Sequence, residues 1–239
     1  MKLINLVGDS LSMVRPNEGI QGKNLYWMQL QERLGAPYYV VVHSRRRNDT
    51  TWVVQTIDED ILAFPAHILI LHLGIVDGFP RLFSKREHAI LDGLKTMGLG
   101  FITRFVTRIA SRNRPFITRR FQKFYVKLPD FERNLHTILR TVQQHQLAQH
   151  VILLGILDTS EENARRTYRA VESIAAYDAV LRRMAVEYPN VHYIDLNGYF
   201  KARGITPILD DGHHLNPDAQ PHVAALLEAE IRRLEGETA

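Results

Sequence analysis

The stretch Leu-Ile-Asn-Leu-Val-Gly-Asp-Ser at residues 3–10 begins as a short apolar run and ends in a polar turn. A run of this length that stops at glycine is typical of a buried strand. Comparable apolar runs occupy residues 38–42, 68–73, 151–157 and 191–196, and helical spacing of apolar residues marks 24–34, 131–147, 161–186 and 219–234. Five apolar strands alternating with helices predict an α/β fold, with a parallel sheet covered on both faces.

The composition is that of one globular domain. The chain has 239 residues, of which 45% are hydrophobic and 23% charged, and a single domain spanning 1–239 is expected at this length. Cysteine is absent, which excludes a disulfide framework, a thiolate nucleophile and a cysteine-ligated zinc site. The first apolar stretch is too short for a signal peptide, and no apolar run approaches the roughly 20 residues that cross a bilayer, so a cytoplasmic protein is expected.

The positive charge is concentrated in one segment. Residues 93–129 contain nine lysines and arginines and no aspartate or glutamate. Because the whole chain carries a formal charge of +4, the residues outside this segment together carry −5. The segment also departs from the alternation of strands and helices, and we interpret it as a basic helical insertion after the third strand. The rest of the chain is acidic and has no recognisable nucleic-acid motif, so no nucleic-acid partner is expected.

Two polar clusters follow predicted strands. Ser10 follows the first strand, and residues 210–216, Asp-Asp-Gly-His-His-Leu-Asn, follow the last. The carboxyl ends of parallel strands form one edge of a sheet, where ligands bind. A serine hydroxyl becomes a good nucleophile when an imidazole accepts its proton and a carboxylate orients that imidazole. Taken singly, the first cluster could be a turn in which Ser10 or Asp9 caps a helix, and the second a polar surface loop.

Together the two clusters resemble the sequence blocks of the SGNH or GDSL-type serine hydrolases, a family of esterases and acetylhydrolases. The resemblance implies a flavodoxin-like three-layer α/β/α sandwich with a five-stranded parallel sheet. It also implies that Ser10 is the nucleophile, His214 the base and Asp211 its orienting partner. One alternative pairs His213 with Asp210 and shifts the register by one residue. Another makes the Asp and His side chains of residues 210–214 metal ligands, although no further ligand stands at a recognisable spacing and no metal site is expected.

The two middle blocks match the family less well. In the second block, at residues 47–51, Asn48 replaces the usual glycine and can still offer its backbone N–H to the oxyanion. In the third block Gly74 and Asp77 match, but Val76 stands where the family has an asparagine that donates to the oxyanion. Loss of such a donor costs about 10²–10³ in rate.

Three side chains near predicted strand ends could replace the missing donor: Arg81, Arg45 and His43. An arginine at this edge could also bind a carboxylate or phosphate of the substrate in a bidentate manner. The alternative is that these residues are solvated charges of surface loops.

The resemblance implies a serine-dependent esterase that hydrolyses acyl esters, including O-acetyl esters on carbohydrates, without a cofactor. Its partner would then be a small-molecule or glycan ester. An O-acyltransferase is one alternative, because a sugar hydroxyl can intercept an acyl-enzyme in place of water. The valine at position 76 leaves a further hypothesis, a non-catalytic protein with a degenerate oxyanion hole that binds an anionic glycan or a membrane surface.

The insertion has the pattern of basic amphipathic helices. In residues 101–112 arginines recur at helical spacing beside a stripe of phenylalanine and isoleucine. Pro115 should end this helix. Residues 116–126 again interleave aromatic and basic side chains. Such helices act as lids, membrane-surface elements or docking sites for polyanions. Our functional hypothesis is a lid for an anionic or lipid-linked glycan, with contact to an anionic glycan or membrane surface through residues 101–127. In the alternative, the aromatic side chains pack on the domain and the arginines lie in water.

Overall fold

The computed structural model describes residues 1–236 and confirms the α/β fold. Its five strands form one parallel sheet in the order β2-β1-β3-β4-β5. The strands are β1 Lys2–Gly8, β2 Tyr38–Ser44, β3 Ala66–His72, β4 Ala148–Leu154 and β5 Val191–Ile194. Because β2 and β3 lie on opposite sides of β1, the strand order reverses there, and open parallel sheets bind ligands at the carboxyl edge beside such a point.

Helices connect the strands and cover both faces of the sheet. They are α1 Tyr26–Leu34, α2 Thr50–Gln55, α3 Ile75–Gly78, α4 Lys85–Thr96, α5 Gly100–Arg112, α6 Arg114–Phe121, α7 Leu128–Gln144, α8 Glu161–Arg166, α9 Ala170–Glu187, α10 Leu196–Ala202 and α11 Ala219–Leu234. Apolar side chains of α2, α7 and α9 pack on one face, and those of α1, α10 and α11 on the other. This arrangement confirms the three-layer α/β/α sandwich.

Both faces of the central strands are buried. Successive side chains of a strand point to opposite faces, so Val7 of β1 packs in the cluster with α7 and α9, whereas Ile4 and Leu6 pack in the cluster with α1 and α11. Strands buried on two sides need apolar residues at nearly every position. That requirement explains why continuous apolar runs, rather than alternating ones, predicted the strands.

The prediction of one continuous helix over residues 161–186 was wrong. Helix α8 ends at Arg166 and α9 begins at Ala170, and Arg169 between them has a left-handed φ of 53°. The residues between the helices bond to α6 of the insertion instead. Arg114 Nε donates to Thr167 Oγ1 at 2.7 Å, and the backbone N–H at position 168 donates to the Thr118 hydroxyl at 3.0 Å. Tertiary hydrogen bonds therefore interrupt a sequence whose local pattern favours helix.

The basic segment is helical over most of its length. Its predicted start at residue 93 falls inside α4, because that helix already begins at a capping box formed by Ser84 and Glu87. Helix α5 ends at Arg112, and Pro115 lies in the first turn of α6, where a missing N–H costs nothing. In the part of the chain that the structure describes, no helix combines the length and apolar character needed to cross a membrane.

Candidate active site

Ser10 lies where β1 ends. It begins a 3₁₀ turn, Ser10–Ser12, directly after Gly8 and Asp9. The Asp9 side chain accepts the Leu11 N–H at 2.8 Å and thereby caps the turn. Asp9 is thus the capping residue of this cluster, and the Ser10 side chain is left for other contacts at the carboxyl edge of the sheet.

The second cluster folds into a tight loop before α11. Gly212 has a φ of 75°, and a Cβ there would lie 2.5 Å from the hydroxyl of a neighbouring serine, so the turn requires glycine. Asp211 Oδ1 accepts the backbone N–H groups of His213 and His214 at 3.0 and 3.1 Å. These bonds hold the Asp211 carboxylate against the backbone of its own loop and aim its second oxygen at the His214 ring.

Ser10, His214 and Asp211 are joined by two hydrogen bonds. His214 Nε2 lies 2.8 Å from Ser10 Oγ, and His214 Nδ1 lies 2.6 Å from Asp211 Oδ2. Burial by itself would raise the pKa of Asp211, but hydrogen bonds from the His214 ring and from the loop N–H groups hold that pKa well below its usual value. An ionised carboxylate at Nδ1 keeps the ring proton there and leaves Nε2 to accept the proton of the Ser10 hydroxyl.

The alternative pair, His213 with Asp210, does not form a comparable arrangement beside Ser10. The His213 ring packs edge-on against Phe79, with ring centroids 4.1 Å apart, and burial lowers the pKa of His213 to about 3. Asp210 is exposed. The structure therefore brings His214, and not His213, to Ser10. Within residues 1–236, no three histidine, aspartate or glutamate side chains are grouped so that they could hold a metal ion.

The second block lies against the end of β1. Asn48 is buried, its side-chain amide donates to the Gly8 carbonyl at 2.9 Å, and its backbone N–H donates to the Arg45 carbonyl at 3.3 Å. The N–H that the resemblance assigns to the oxyanion therefore closes a turn in this structure. The backbone N–H of Ser10, by contrast, has no hydrogen-bond acceptor within residues 1–236 and is the donor that remains available.

The third block turns sharply after β3. Gly74 has a φ of 119°, and a Cβ there would lie 2.4 Å from an isoleucine methyl group, so this position requires glycine. Val76 packs among apolar side chains and brings no polar atom. Asp77 is buried and accepts both the backbone N–H and the hydroxyl of Thr50, at 2.9 and 2.6 Å. Asp77 thus fastens the third block to the second.

The three candidate replacement donors differ in their contacts. Arg81 donates to two carbonyl oxygens of the third block at 3.1 and 3.3 Å, and its Nε is buried without a hydrogen-bond partner. Arg45 pairs with both carboxylate oxygens of Asp60, and His43 Nδ1 lies 3.5 Å from the same carboxylate. Arg81 is therefore the candidate held at the third block, while Arg45 and His43 are engaged by Asp60.

Arg15 belongs to this site although no pattern in the sequence indicated it. Its guanidinium lies 2.5 Å from His214 Nε2 and 3.6 Å from Asp211 Oδ2, and its Nε is buried without a hydrogen-bond partner. Together with Arg46 and Arg47 it lines a pocket of about 200 Å³ that also contains Ser10 and His214. The cluster of arginines in residues 45–47 was a visible signal, but only the folded turn after Ser10 brings Arg15 to it.

Comparison with known proteins identifies the family. The sequence model of the GDSL-like lipase/acylhydrolase family matches residues 6–220. The chain belongs to this family. It is therefore an ester-hydrolysing enzyme, and the family resemblance carried by the residues around Ser10 and His214 is confirmed. A search of curated proteins found no match.

Solved structures with the same architecture include a lipase/acylhydrolase and two acetyl xylan esterases. A lipase/acylhydrolase from Enterococcus faecalis superposes with a TM-score of 0.68 at 15% identity, covering 98% of this chain and 97% of its own. A variant of an acetyl xylan esterase from Geobacillus stearothermophilus gives 0.63 at 15% identity, covering 100% and 96%. The acetyl xylan esterase AlAXEase gives 0.63 at 14% identity, covering 96% and 99%. At these identities the similarity shows a shared fold.

Two carboxyl groups of this GDSL-family enzyme are buried beside the site. Burial raises the pKa of Asp9 and that of Asp77 to about 7. In each group one carboxyl oxygen is hydrogen-bonded and the other, Oδ2, is buried without a partner. A neutral carboxyl group suits such surroundings better than an ionised one, because an unpaired buried charge is costly.

We expect Asp77→Asn to become stabilising relative to the wild type as the pH rises. In the folded protein Asp77 keeps its proton up to a pH of about 7, whereas in the unfolded chain it ionises near pH 4. Between these values unfolding releases a proton, so this group lowers the free energy of unfolding of the wild type by up to about 4 kcal/mol as the pH rises. A neutral asparagine makes no such contribution.

Urea denaturation of both proteins at pH 5 and pH 8 measures this difference. The comparison of variant with wild type cancels the opposite contribution of buried histidines such as His72, whose pKa burial lowers to about 3. A difference in unfolding free energy that stays constant between the two pH values would contradict the assignment.

Proposed function

We propose that this enzyme hydrolyses short-chain acyl esters through a triad of Ser10, His214 and Asp211. The supporting observation is the pair of hydrogen bonds, 2.8 and 2.6 Å long, that links the three side chains. His214 accepts the Ser10 proton as Oγ attacks the ester carbonyl, and then gives that proton to the leaving alcohol. Water hydrolyses the acyl-enzyme through the same base, and Asp211 stabilises the charged imidazole formed in each step.

The oxyanion formed during attack needs donors, and two groups support this role. The Ser10 backbone N–H is unpartnered within the described residues. Arg81 is held at the third block with a buried, unpartnered Nε, and is our candidate for the donor that Val76 lacks. A guanidinium both donates a hydrogen bond and neutralises developing negative charge. Asn48, Gly74 and Asp77 would shape the surrounding backbone.

The size of the pocket favours a small acyl group. Its volume of about 200 Å³ lies below the roughly 300–1,000 Å³ typical of sites for drug-sized ligands. Two of the structural neighbours are acetyl xylan esterases. Both observations support an O-acetyl ester, carried on a carbohydrate, as the substrate class.

The charge of the pocket favours an anionic substrate. Arg15, Arg46 and Arg47 surround the reacting serine, and arginines at such positions bind carboxylate or phosphate groups. Arg15 also donates to His214 Nε2 at 2.5 Å, the atom that must accept the Ser10 proton. An anionic group beside the ester would draw Arg15 away and free this nitrogen for catalysis. We therefore include a negative charge near the ester in the proposed substrate class.

A matched pair of substrates tests the proposal. We expect the wild type to release acetate from O-acetylated glucuronic acid with a kcat/KM about tenfold higher than from O-acetylated glucose, since a hydrogen bond to a charged group contributes about 1.5–3 kcal/mol. Arg15→Gln should reduce this preference through a higher KM for the acid. Arg33→Gln, which alters an exposed arginine of α1 paired with Glu228, serves as the control and should keep it.

Two results would count against the proposal. Release of acetate from neither sugar would contradict the acetyl-ester assignment. Equal kcat/KM for the two sugars would show an esterase whose pocket does not select charge.

A further inference from the structure

Helices α5 and α6 turn their aromatic side chains toward solvent. Phe101 and Phe105 on α5 are 60% and 64% exposed, and Phe116 and Phe121 on α6 are 68% and 55% exposed. Ile109, one turn beyond Phe105, extends the apolar stripe of α5 and is also exposed. We call these five residues the aromatic face. The alternative in which the aromatic side chains of the insertion pack on the domain holds for Tyr125, which contacts the core, but not for the aromatic face.

The side of these helices that faces the domain carries small side chains, two of which are threonines. Thr103 and Ala110 of α5 are 3% and 6% exposed, and Thr118 of α6 is 1% exposed. The Thr103 hydroxyl donates to the Leu91 carbonyl at 3.1 Å, and the Thr118 hydroxyl accepts the backbone N–H at position 168 at 3.0 Å. A helix in water normally buries its apolar stripe and exposes its polar one. Here the apolar stripe is exposed as well, which leaves the aromatic face for another partner.

Basic side chains flank the aromatic face. The segment 93–129 has no acidic residue, and none of its exposed arginines forms an ion pair with a carboxylate in the described part of the chain. These exposed arginines are Arg104, Arg108, Arg112, Arg119 and Arg120. Arg120 lies over the Phe121 ring at 5.6 Å, so charge and aromatic surface are adjacent. The partner must therefore accept apolar rings and supply negative charge beside them.

We propose that α5 and α6 dock on the surface of an anionic lipid bilayer. The boundary between acyl chains and headgroups accommodates aromatic rings, and anionic headgroups attract the flanking arginines. A second copy of this chain would cover the rings, but the self-complementary contact of a twofold dimer brings like-charged arginines together. An acidic polymer would neutralise the arginines but leave the rings in water. The bilayer satisfies both features at once.

The segment that contains α5 and α6 contacts residues at the carboxyl edge of the sheet, where the candidate active site lies. The Arg114 guanidinium lies 5.5 Å from the centroid of the Phe79 ring, against which His213 packs. An isolated β-bridge pairs Arg81 with Lys123. Docking through α5 and α6 would thus hold the edge that carries the active site close to the membrane, without needing any residue of the triad.

Sedimentation with vesicles tests the proposal on the full chain. At 50 mM NaCl we expect the protein to bind vesicles of phosphatidylcholine with 30% phosphatidylglycerol, and to bind vesicles of pure phosphatidylcholine about tenfold more weakly. Binding to the anionic vesicles should weaken at 500 mM NaCl, because salt screens the attraction between arginines and headgroups. Phe105→Ser combined with Phe116→Ser should lower the partition coefficient at least about tenfold, because burying one phenylalanine side chain is worth about 10- to 100-fold. The matched control Val186→Ser, in an 87% exposed side chain on α9, should bind as the wild type does.

Three outcomes would overturn the proposal. The first is absence of binding to either vesicle by the folded wild type. The second is salt-sensitive binding that the two phenylalanine substitutions leave unchanged, which would indicate a polyanion site. The third is a dimer in size-exclusion chromatography that these substitutions dissociate, which would show a second copy on the aromatic face. Thermal unfolding and hydrolysis of a soluble acetyl ester should be unchanged in the phenylalanine variants, so loss of vesicle binding cannot be ascribed to unfolding.

Discussion

Ser10→Ala is expected to lower kcat for acetyl-ester hydrolysis by about 10⁴-fold or more. The Ser10 hydroxyl oxygen lies 2.8 Å from His214 Nε2 and is the atom that attacks the ester in the proposed mechanism. Alanine removes this atom, so no acyl-enzyme can form. The half-buried hydroxyl is not part of the apolar core, so thermal unfolding should change little. Steady-state assays on an acetyl ester, with circular dichroism as a check on folding, measure both effects.

A fluorophosphonate probe gives the same test without a known substrate. The wild type should form one covalent adduct, located at Ser10 by peptide mass spectrometry, and Ser10→Ala should form none. Ser111→Ala, at an exposed position on α5, is the matched control and should be labelled like the wild type. Labelling of Ser10→Ala, or wild-type activity in that variant, would contradict the assignment of the nucleophile.

Asp211→Asn should lower kcat by about 10⁴-fold while KM changes little. Asparagine can keep the acceptor oxygen that binds the loop N–H groups, so the loop should retain its shape. Its amide would, however, face His214 Nδ1 in place of the carboxylate oxygen that now lies 2.6 Å away. An N–H donor at this place favours the ring tautomer that carries its proton on Nε2, and that tautomer cannot accept the Ser10 proton.

The neighbouring residue supplies the control for this prediction. Asp210 is exposed and belongs to the register shifted by one residue, so Asp210→Asn should keep nearly the wild-type rate. His213→Gln should likewise retain activity, because the His213 ring packs on Phe79. Equal losses in Asp210→Asn and Asp211→Asn would contradict the pairing of Asp211 with His214.

The strands and the two terminal polar clusters could be predicted because each depends on local sequence. A strand buried on both faces has to be apolar along its length, and the run ending at Gly8 shows this directly. In a parallel sheet every strand also ends at the same edge, so two clusters that each follow a strand are expected to approach one another. This is why Ser10 and residues 210–216, which are far apart in the chain, could be predicted to form one site, and the family resemblance then implied Asp211 and His214 within the second cluster.

Other parts of the site depend on contacts that local sequence does not specify. Arg15 lies beside His214 only in the folded protein, and its neighbours in the sequence do not indicate this contact. The backbone N–H of Asn48 looks available in the sequence, but it closes a turn with Arg45. The break between α8 and α9 likewise arises from hydrogen bonds between Thr167 and the insertion.

The sequence by itself determined the layered α/β fold, the GDSL-type blocks and the concentration of basic residues in 93–129, because apolar periodicity and residue type are local properties. Only the tertiary structure decided which side of the insertion faces the domain. Thr103 and Thr118 form hydrogen bonds on the side that faces the domain, whereas Phe105 and Phe116 are exposed. An amphipathic pattern defines two sides of a helix, but the surface that the helix meets determines which side is buried.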